Sequence, residues 1–253
     1  MTIDSPGFKR SSPRPRCSCI IPFHNEQGRI LRVLNVATRL NNLTQVICVD
    51  DGSTDDTSRQ IVLRYPGVTL LRVPVKGGKA AAVRAGIDLV HTSHVLLLDA
   101  DLRGLEAGEI GLAVSTALAH PEIDMIILRR VKAAIHARLS RGDVLFSGER
   151  ILKTADLREV LALKPDQYQI EIAINRSMLQ KQKRVYWMPS SARNTLKMRK
   201  SGPVRGLAGD VAMVKNMIDF AGVGTYVEQY LHFAREKAPL SSPIQPERPA
   251  VRR

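Results

Sequence analysis

Aromatic residues are scarce in this chain. Phe, Trp and Tyr together supply 4% of its 253 residues, and Trp187 is the single tryptophan. That counts against a protein that holds nucleic acid by stacking bases on exposed rings. Cysteine is nearly missing as well. Cys17, Cys19 and Cys48 are an odd set, without a second Cys pair or a nearby His pair, so they give neither a disulfide framework nor a zinc site. No apolar run approaches the ~20 residues a membrane span needs. Residues 1–16 carry Lys9, Arg10, Arg14 and Arg16 with no apolar core after them, unlike a signal peptide. These absences point to a reducing cytoplasm, with the cysteines as small buried strand residues.

Positive charge, by contrast, is plentiful: 38 Lys+Arg against 24 Asp+Glu give a formal charge of +14. Hydrophobic residues at 44% and charged residues at 25% are those of an ordinary globular protein, long enough for one large domain or two small ones. The basic excess is either a solvated surface or the mark of a polyanionic partner: nucleotide phosphates, an anionic membrane surface or nucleic acid. Charge alone does not choose among them.

Both ends read as tails. Residues 1–16 are rich in Ser, Pro and Arg, and residues 238–253 hold Pro239, Pro243, Pro246 and Pro249 among arginines, neither with apolar periodicity. Between them the first half alternates strand and helix. Strands are predicted at Cys17–Pro22, Gln45–Asp50, Val68–Val73, His94–Asp99 and Ile123–Leu128. Helices are predicted through Ile30, Val33, Leu34, Ala37 and Leu40, and over Thr54–Tyr65, Lys79–Leu89 and Glu106–Ala119. This alternation implies a mostly parallel sheet with helices on both faces. In the second half, Asp156–Leu163, Gln169–Gln182, Leu207–Phe220 and Thr225–Glu236 read as helices and Arg184–Met188 as a strand. No linker separates the halves, so residues 17–237 are expected to form one domain with a helical C-terminal extension.

Polar clusters close successive strands: His24-Asn25-Glu26, Asp50-Asp51-Gly52-Ser53, Lys76-Gly77-Gly78-Lys79 and Asp99-Ala100-Asp101. In an open parallel sheet the carboxyl ends of the strands line one crevice, where ligands bind. Each cluster suits a nucleotide diphosphate. Asp99 and Asp101 at i, i+2 can offer a hard, oxygen-only site for Mg²⁺ or Mn²⁺. Gly77-Gly78 allows backbone N–H groups to approach an anion, and Lys79 adds charge at a helix start. Asp51 is placed to accept hydrogen bonds from a base or ribose. Alone, Asp50-Asp51-Gly52-Ser53 reads as a turn and cap. Gly77-Gly78-Lys79 is not a P-loop, because Val73 stands where the first Gly belongs and Ala80 where Ser/Thr belongs.

Taken together, Ile20-Ile21-Pro22-Phe23-His24-Asn25-Glu26, Val49-Asp50-Asp51-Gly52-Ser53-Thr54-Asp55, Gly78-Lys79-Ala80 with Gly86, and Leu98-Asp99-Ala100-Asp101 resemble the nucleotide-sugar half of family 2 glycosyltransferases with the GT-A fold. The resemblance covers about residues 17–105. It implies an α/β, Rossmann-like, mostly parallel sheet, with residues 17–130 as the nucleotide-sugar half and 131–237 as the acceptor half. It also implies transfer of a sugar from a nucleotide-sugar, usually a UDP-sugar, with Mg²⁺ or Mn²⁺. By the same resemblance, Pro22, Asn25 and Glu26 lie against the nucleoside and Asp51 binds the uracil or ribose. Gly78 and Lys79 lie beside the diphosphate. Asp101 ligates the metal, and Asp99 with Ala100 sits near the ribose, donor sugar or metal. His24 departs from the aromatic often found there and would stack weakly on the base.

Phe146-Ser147-Gly148-Glu149-Arg150 looks like the family's acceptor-side loop, where Gly148 lets backbone approach the donor sugar. Tyr168-Gln169-Ile170-Glu171-Ile172 sits where many members carry an acidic residue that acts on the acceptor. An inverting reaction needs a carboxylate base; Glu171 is the first candidate and Glu149 the second. Glu171 could equally pair with Arg150 or Arg176. Retaining relatives that glycosylate phosphoglycerate share the first half, so stereochemistry stays open. Asn194 and His232 are candidates for a further metal ligand.

Arg193, Lys197, Arg199, Lys200, Arg205 and Lys215 run into the Leu207–Phe220 stretch. Either the charges are solvated, or they form a loop over the diphosphate or a surface resting on anionic lipid at the inner face of the membrane. A lipid-linked or a small phosphorylated acceptor would fit. Two other functions share parts of this pattern. A sugar nucleotidyltransferase usually needs a Gly-rich basic loop where Phe23-His24-Asn25-Glu26 stands. A non-catalytic basic nucleic-acid-binding protein would need a recognition motif, and none is seen, so no nucleic-acid partner is expected.

Overall fold

The computed structural model describes residues 15–131, 141–163, 170–194 and 222–239. Its main sheet has seven strands in the order β3-β2-β1-β4-β7-β6-β8. The strands are β1 (Cys17–Phe23), β2 (Leu43–Asp51), β3 (Thr69–Val73), β4 (His94–Leu97), β6 (Met125–Arg130), β7 (Arg150–Lys153) and β8 (Val185–Ser190). Strands β3, β2, β1 and β4 are parallel; β7 runs antiparallel to both β4 and β6, and β8 is parallel to β6. Two short strands, β5 (Leu102–Arg103) and β9 (Arg193–Asn194), pair antiparallel beside it. The helices are α1 (Ile30–Ala37), α2 (Thr57–Arg64), α3 (Lys79–Ile87), α4 (Ala107–Ala119), α5 (Gly142–Leu145), α6 (Thr154–Ala162), α7 (Ile170–Gln180) and α8 (Val223–His232).

Strand alternation explains the two cores. Cys17, Cys19, Ile21 and Phe23 of β1 pack with α1 and α4, whereas Ile20 packs on the other face with α3, α6 and α7. Strands buried on both faces read as unbroken apolar runs, as β1 and β4 do. Gly86 brings α3 close to the sheet: a Cβ there would stand 2.9 Å from Val49 Cγ2 and 3.1 Å from Ile20 Cγ2. The three cysteines are free and buried. Burial pushes the Cys17 and Cys48 thiols up to about 12, so neither is a ready nucleophile.

The first half matches the alternation expected from sequence. The second half departs from it. Arg150, expected to end a loop, opens β7, the strand that breaks the parallel run. The expected C-terminal tail also begins later than residue 238: Trp187 N donates to Glu236 O at 3.0 Å, Ala238 N donates to Trp187 O at 3.0 Å, and Ala238 is buried. Most of both expected tails, Tyr168, Gln169, the basic residues from Lys197 to Lys215 and the expected Leu207–Phe220 helix lie outside the described residues.

Candidate active site

The carboxyl ends of β1, β2 and β4 and the start of α3 meet at one edge of the sheet. A cleft of about 420 Å³ opens there, lined from the first half by Pro22, His24, Glu26, Asp51, Gly78, Lys79, Asp99, Ala100 and Asp101, and from the second by Phe146 and Glu171. Segments distant in sequence are thus gathered at the crevice that parallel topology provides.

Asp51 ends β2 and is buried. Its Oδ1 accepts from Gly77 N at 2.7 Å and its Oδ2 from Gly78 N at 2.8 Å. The anion cradled by the glycine pair is therefore the protein's own carboxylate. Gly78 holds φ at 84°, a left-handed value that suits glycine, and α3 begins immediately after it. The neighbouring Asp50 faces away. Its Oδ1 accepts from Ser53 N at 2.7 Å and its Oδ2 from Ser58 Oγ, the turn-and-cap role read from sequence. His24 Nδ1 lies 2.9 Å from Asp51 O; since a carbonyl only accepts, the imidazole carries its proton there.

Asn25 does not line the cleft. Its Oδ1 accepts from Thr54 N at 2.9 Å, and its own N donates to Ser53 Oγ at 3.0 Å. With φ at 54°, it ties the loop after β1 to the loop after β2. Glu26 reaches the cleft with an ion pair to Arg29 one turn on.

Lys79 joins the two halves. Its Nζ donates to Asp99 Oδ1 at 2.5 Å and to Glu171 Oε1 at 2.7 Å. Glu171 sits in the first turn of α7, where a carboxylate is favoured by the helix dipole. Its partner is thus Lys79, not the side chains of Arg150 or Arg176; Arg150 Nη1 reaches only the Glu171 backbone oxygen, at 3.5 Å. Burial alone would drain charge from Lys79. The two carboxylates more than reverse this and hold it above the usual lysine range. Burial likewise pushes Asp99 upward, but Lys79 and Arg130 overcome it and keep Asp99 below the usual carboxylate range. Asp101 is held above that range, first by burial and then by the negative charge of Asp99.

Gly148 is not a wall of the cleft. It backs the ion pair: a Cβ there would fall 2.5 Å from Lys79 Nζ and 2.6 Å from both Asp99 oxygens. Glu149, the second candidate base, has no exposed surface and faces the interior. Its carboxylate takes a two-pronged hydrogen bond from Arg130, at 2.8 and 3.1 Å, and cannot touch an acceptor from there. Burial and the charge of Asp99 lift its pKa, with Arg130 opposing. Arg130 was not anticipated. The signal was available, because two arginines that end the apolar run Met125-Ile126-Ile127-Leu128 demand acidic partners.

Asp99 and Asp101 supply hard oxygen donors, the chemistry Mg²⁺ and Mn²⁺ require. Both Asp99 oxygens face cations at short range, Lys79 at 2.5 Å and Arg130 at 3.8 Å, and Asp101 lines the same cleft beside them. Register places the Asn194 backbone opposite Leu102, next to Asp101. His232 instead lines a hollow with Arg184 and Val185 at the opposite end of the sheet and does not join the cleft.

Comparison with known proteins adds to this geometry. Residues 18–181 match the model of glycosyl transferase family 2. An uncharacterized glycosyltransferase of Synechocystis sp. is 34% identical over 93 residues, 34% of this chain and 29% of its own length. A dolichyl-phosphate beta-glucosyltransferase of Trichomonas vaginalis is 36% identical over 99 residues, 33% of this chain and 30% of its own. The matched stretch therefore spans under a third of these relatives. Glucosyl-3-phosphoglycerate synthase from Mycobacterium tuberculosis, in its crystal structure with phosphoglyceric acid, shares the fold at a TM-score of 0.64 and 19% identity, over 81% of this chain and 79% of that one. The same enzyme with Mn²⁺, UDP and phosphoglyceric acid gives a TM-score of 0.62 at 18% identity, over 80% of this chain and 78% of that one. The fold is GT-A.

Proposed function

The chain belongs to glycosyl transferase family 2, and from that premise we propose that it transfers a sugar from a UDP-sugar to an acceptor bearing a phosphate group, with a divalent cation at Asp101. The observation that carries the reading is the convergence of Asp51, Lys79, Asp99, Asp101 and Glu171 on one cleft. Family membership displaces the nucleotidyltransferase alternative. The phosphate on the acceptor follows the named relatives: a dolichyl phosphate in one, phosphoglyceric acid in the other. The +14 charge of the chain favours such polyanions.

Each side chain then has a task. Asp51, with lone pairs left after its two backbone bonds, accepts from the nucleoside. Pro22 and His24 form the wall against the base. Lys79 is placed to oppose charge on the departing diphosphate. A metal ion held by Asp101, with Asp99 behind it, would neutralise the same charge. Where the acceptor attacks through a hydroxyl, Glu171 takes its proton as that oxygen attacks the anomeric carbon; a phosphate oxygen, already ionised, attacks without that proton transfer. The bond from that carbon to the phosphate oxygen breaks, and UDP leaves with the electron pair. Because Lys79 bridges Asp99 and Glu171, a donor diphosphate that draws Lys79 toward itself frees Glu171 for this step.

The test is a screen of UDP- and GDP-sugars with Mn²⁺ against two acceptors, a polyprenyl phosphate in detergent and 3-phosphoglycerate. Transfer from a UDP-sugar to either supports the reading, and the productive arm separates a lipid phosphate from a small one. Turnover with neither acceptor, and no stabilisation by UDP with Mn²⁺, would refute it.

A further inference from the structure

Behind the cleft lies a buried polar pair that the chemistry above does not use. Arg130 ends β6, and its guanidinium binds Glu149 through Nη2 at 2.8 Å and Nε at 3.1 Å. Glu149 has no exposed surface, and its Oε2 also lies 3.0 Å from Ser147 Oγ. The same Nη2 stands 3.8 Å from Asp99 Oδ2, an ion-pair distance longer than a hydrogen bond, while Asp99 Oδ1 is taken by Lys79 at 2.5 Å. Between them, the two cations face both oxygens of Asp99. Gly148, with no side chain, leaves the space this arrangement occupies.

A buried ion pair is a poor means of stabilising a fold, since well-packed apolar residues of the same volume usually do as well or better. Its cost needs another reason, and here the pair leans on a residue of the cleft. We propose that Arg130 and Glu149 are a positioning pair: Glu149 fixes the Arg130 guanidinium, and Arg130 fixes the plane of the Asp99 carboxylate, without either touching substrate. The pair also ties the halves together. Ser147 O accepts from Arg150 Nε at 3.1 Å, and Arg150 Nη1 donates to Asn175 Oδ1 at 3.0 Å on α7, the helix that presents Glu171. The segment from Ser147 to Arg150 thus sets Asp99 on one side and α7 on the other, with Lys79 bridging the gap.

The inference rests on Asp99 belonging to the donor site, so its test needs a readout independent of transfer. Full-length R130M, R130K and R130M/E149L are compared with the wild-type chain by thermal unfolding, by calorimetric titration of UDP with Mn²⁺, and by the crystal structure of the double variant. R130M alone leaves the buried Glu149 without its ion-pair partner and should melt well below the wild type. The double variant should regain that loss to within about 2–4 °C. It should still bind UDP with Mn²⁺ about 10–100-fold more weakly, the usual cost of removing a residue that orients a ligand. R130K, which keeps the charge without the fork, should fall between. A double variant that melts and binds as the wild type does would overturn the proposal. If the wild type itself shows no Mn²⁺-dependent UDP binding, the donor-site reading fails, and the crystal structure still decides on positioning. Asp99 leaving Lys79 in the double variant supports the pair's role; an unmoved Asp99 overturns it.

Discussion

Gly148 is the position where a single methyl group separates the chemistry from the fold. Its backbone is not in the left-handed region, so alanine fits the main chain. The added carbon, however, would stand 2.5 Å from Lys79 Nζ and 2.6 Å from both Asp99 oxygens. A comfortable carbon contact is about 3.5 Å, so the opposing groups must retreat by roughly 1 Å. They are the ends of side chains, not backbone, so the fold yields cheaply. The overpacking should cost at the low end of ~1–3 kcal/mol, a fall of about 2–4 °C in Tm. The chemistry is less tolerant, because a misplacement of ~1 Å near the reacting atoms costs about 10²-fold in rate. G148A should therefore melt nearly as the wild type does and lose about a hundredfold in turnover, read as UDP release from a UDP-sugar with Mn²⁺ and acceptor. Wild-type turnover in a folded G148A would show that the contact of Lys79 with Asp99 plays no part in the reaction.

E171Q keeps the shape of the side chain and one acceptor for Lys79 but removes the base. With an acceptor hydroxyl, kcat should fall by about 10²–10⁴ with little change in KM; a loss confined to KM would make Glu171 a binding residue. Asp124 offers a prediction about stability and pH. Burial opposes its charge, but Lys153 Nζ at 2.7 Å and Arg184 N at 2.9 Å more than compensate and hold it below the usual carboxylate range. A carboxylate with a depressed folded pKa stabilises above its unfolded value of about 3.9, and that stabilisation disappears as pH falls through the folded value. D124N should melt lower than the wild type at pH 7, by about 1–2 kcal/mol of stability. The gap should close on acidification; a gap independent of pH would contradict the assignment.

How much of this was legible in the sequence depends on how local each signal is. The strands before the cleft announce themselves as apolar runs because both faces are buried, and the polar clusters that end them are placed by parallel topology alone. Glu149 and Arg150 show where such reading stops. Strand β7 is four residues long and opens with a buried arginine, so no apolar pattern marks it. Yet it is at the entry to this strand that Glu149 meets Arg130 and Arg150 meets Asn175. Gly77-Gly78 was read as open to a ligand, because a sequence does not reveal that Asp51 reaches those N–H groups first. The pairing of Glu171 with Lys79 spans residues 92 apart in the chain and depends on how α7 meets α3, which no motif encodes.

The central claim is tested most directly by calorimetric titration of the wild-type chain and D101N with UDP, each with and without Mn²⁺. The wild type should bind UDP in a strongly Mn²⁺-dependent way, and D101N should lose that dependence while melting as the wild type does. Equal Mn²⁺-dependent binding by both proteins would contradict the assignment of the cation to Asp101.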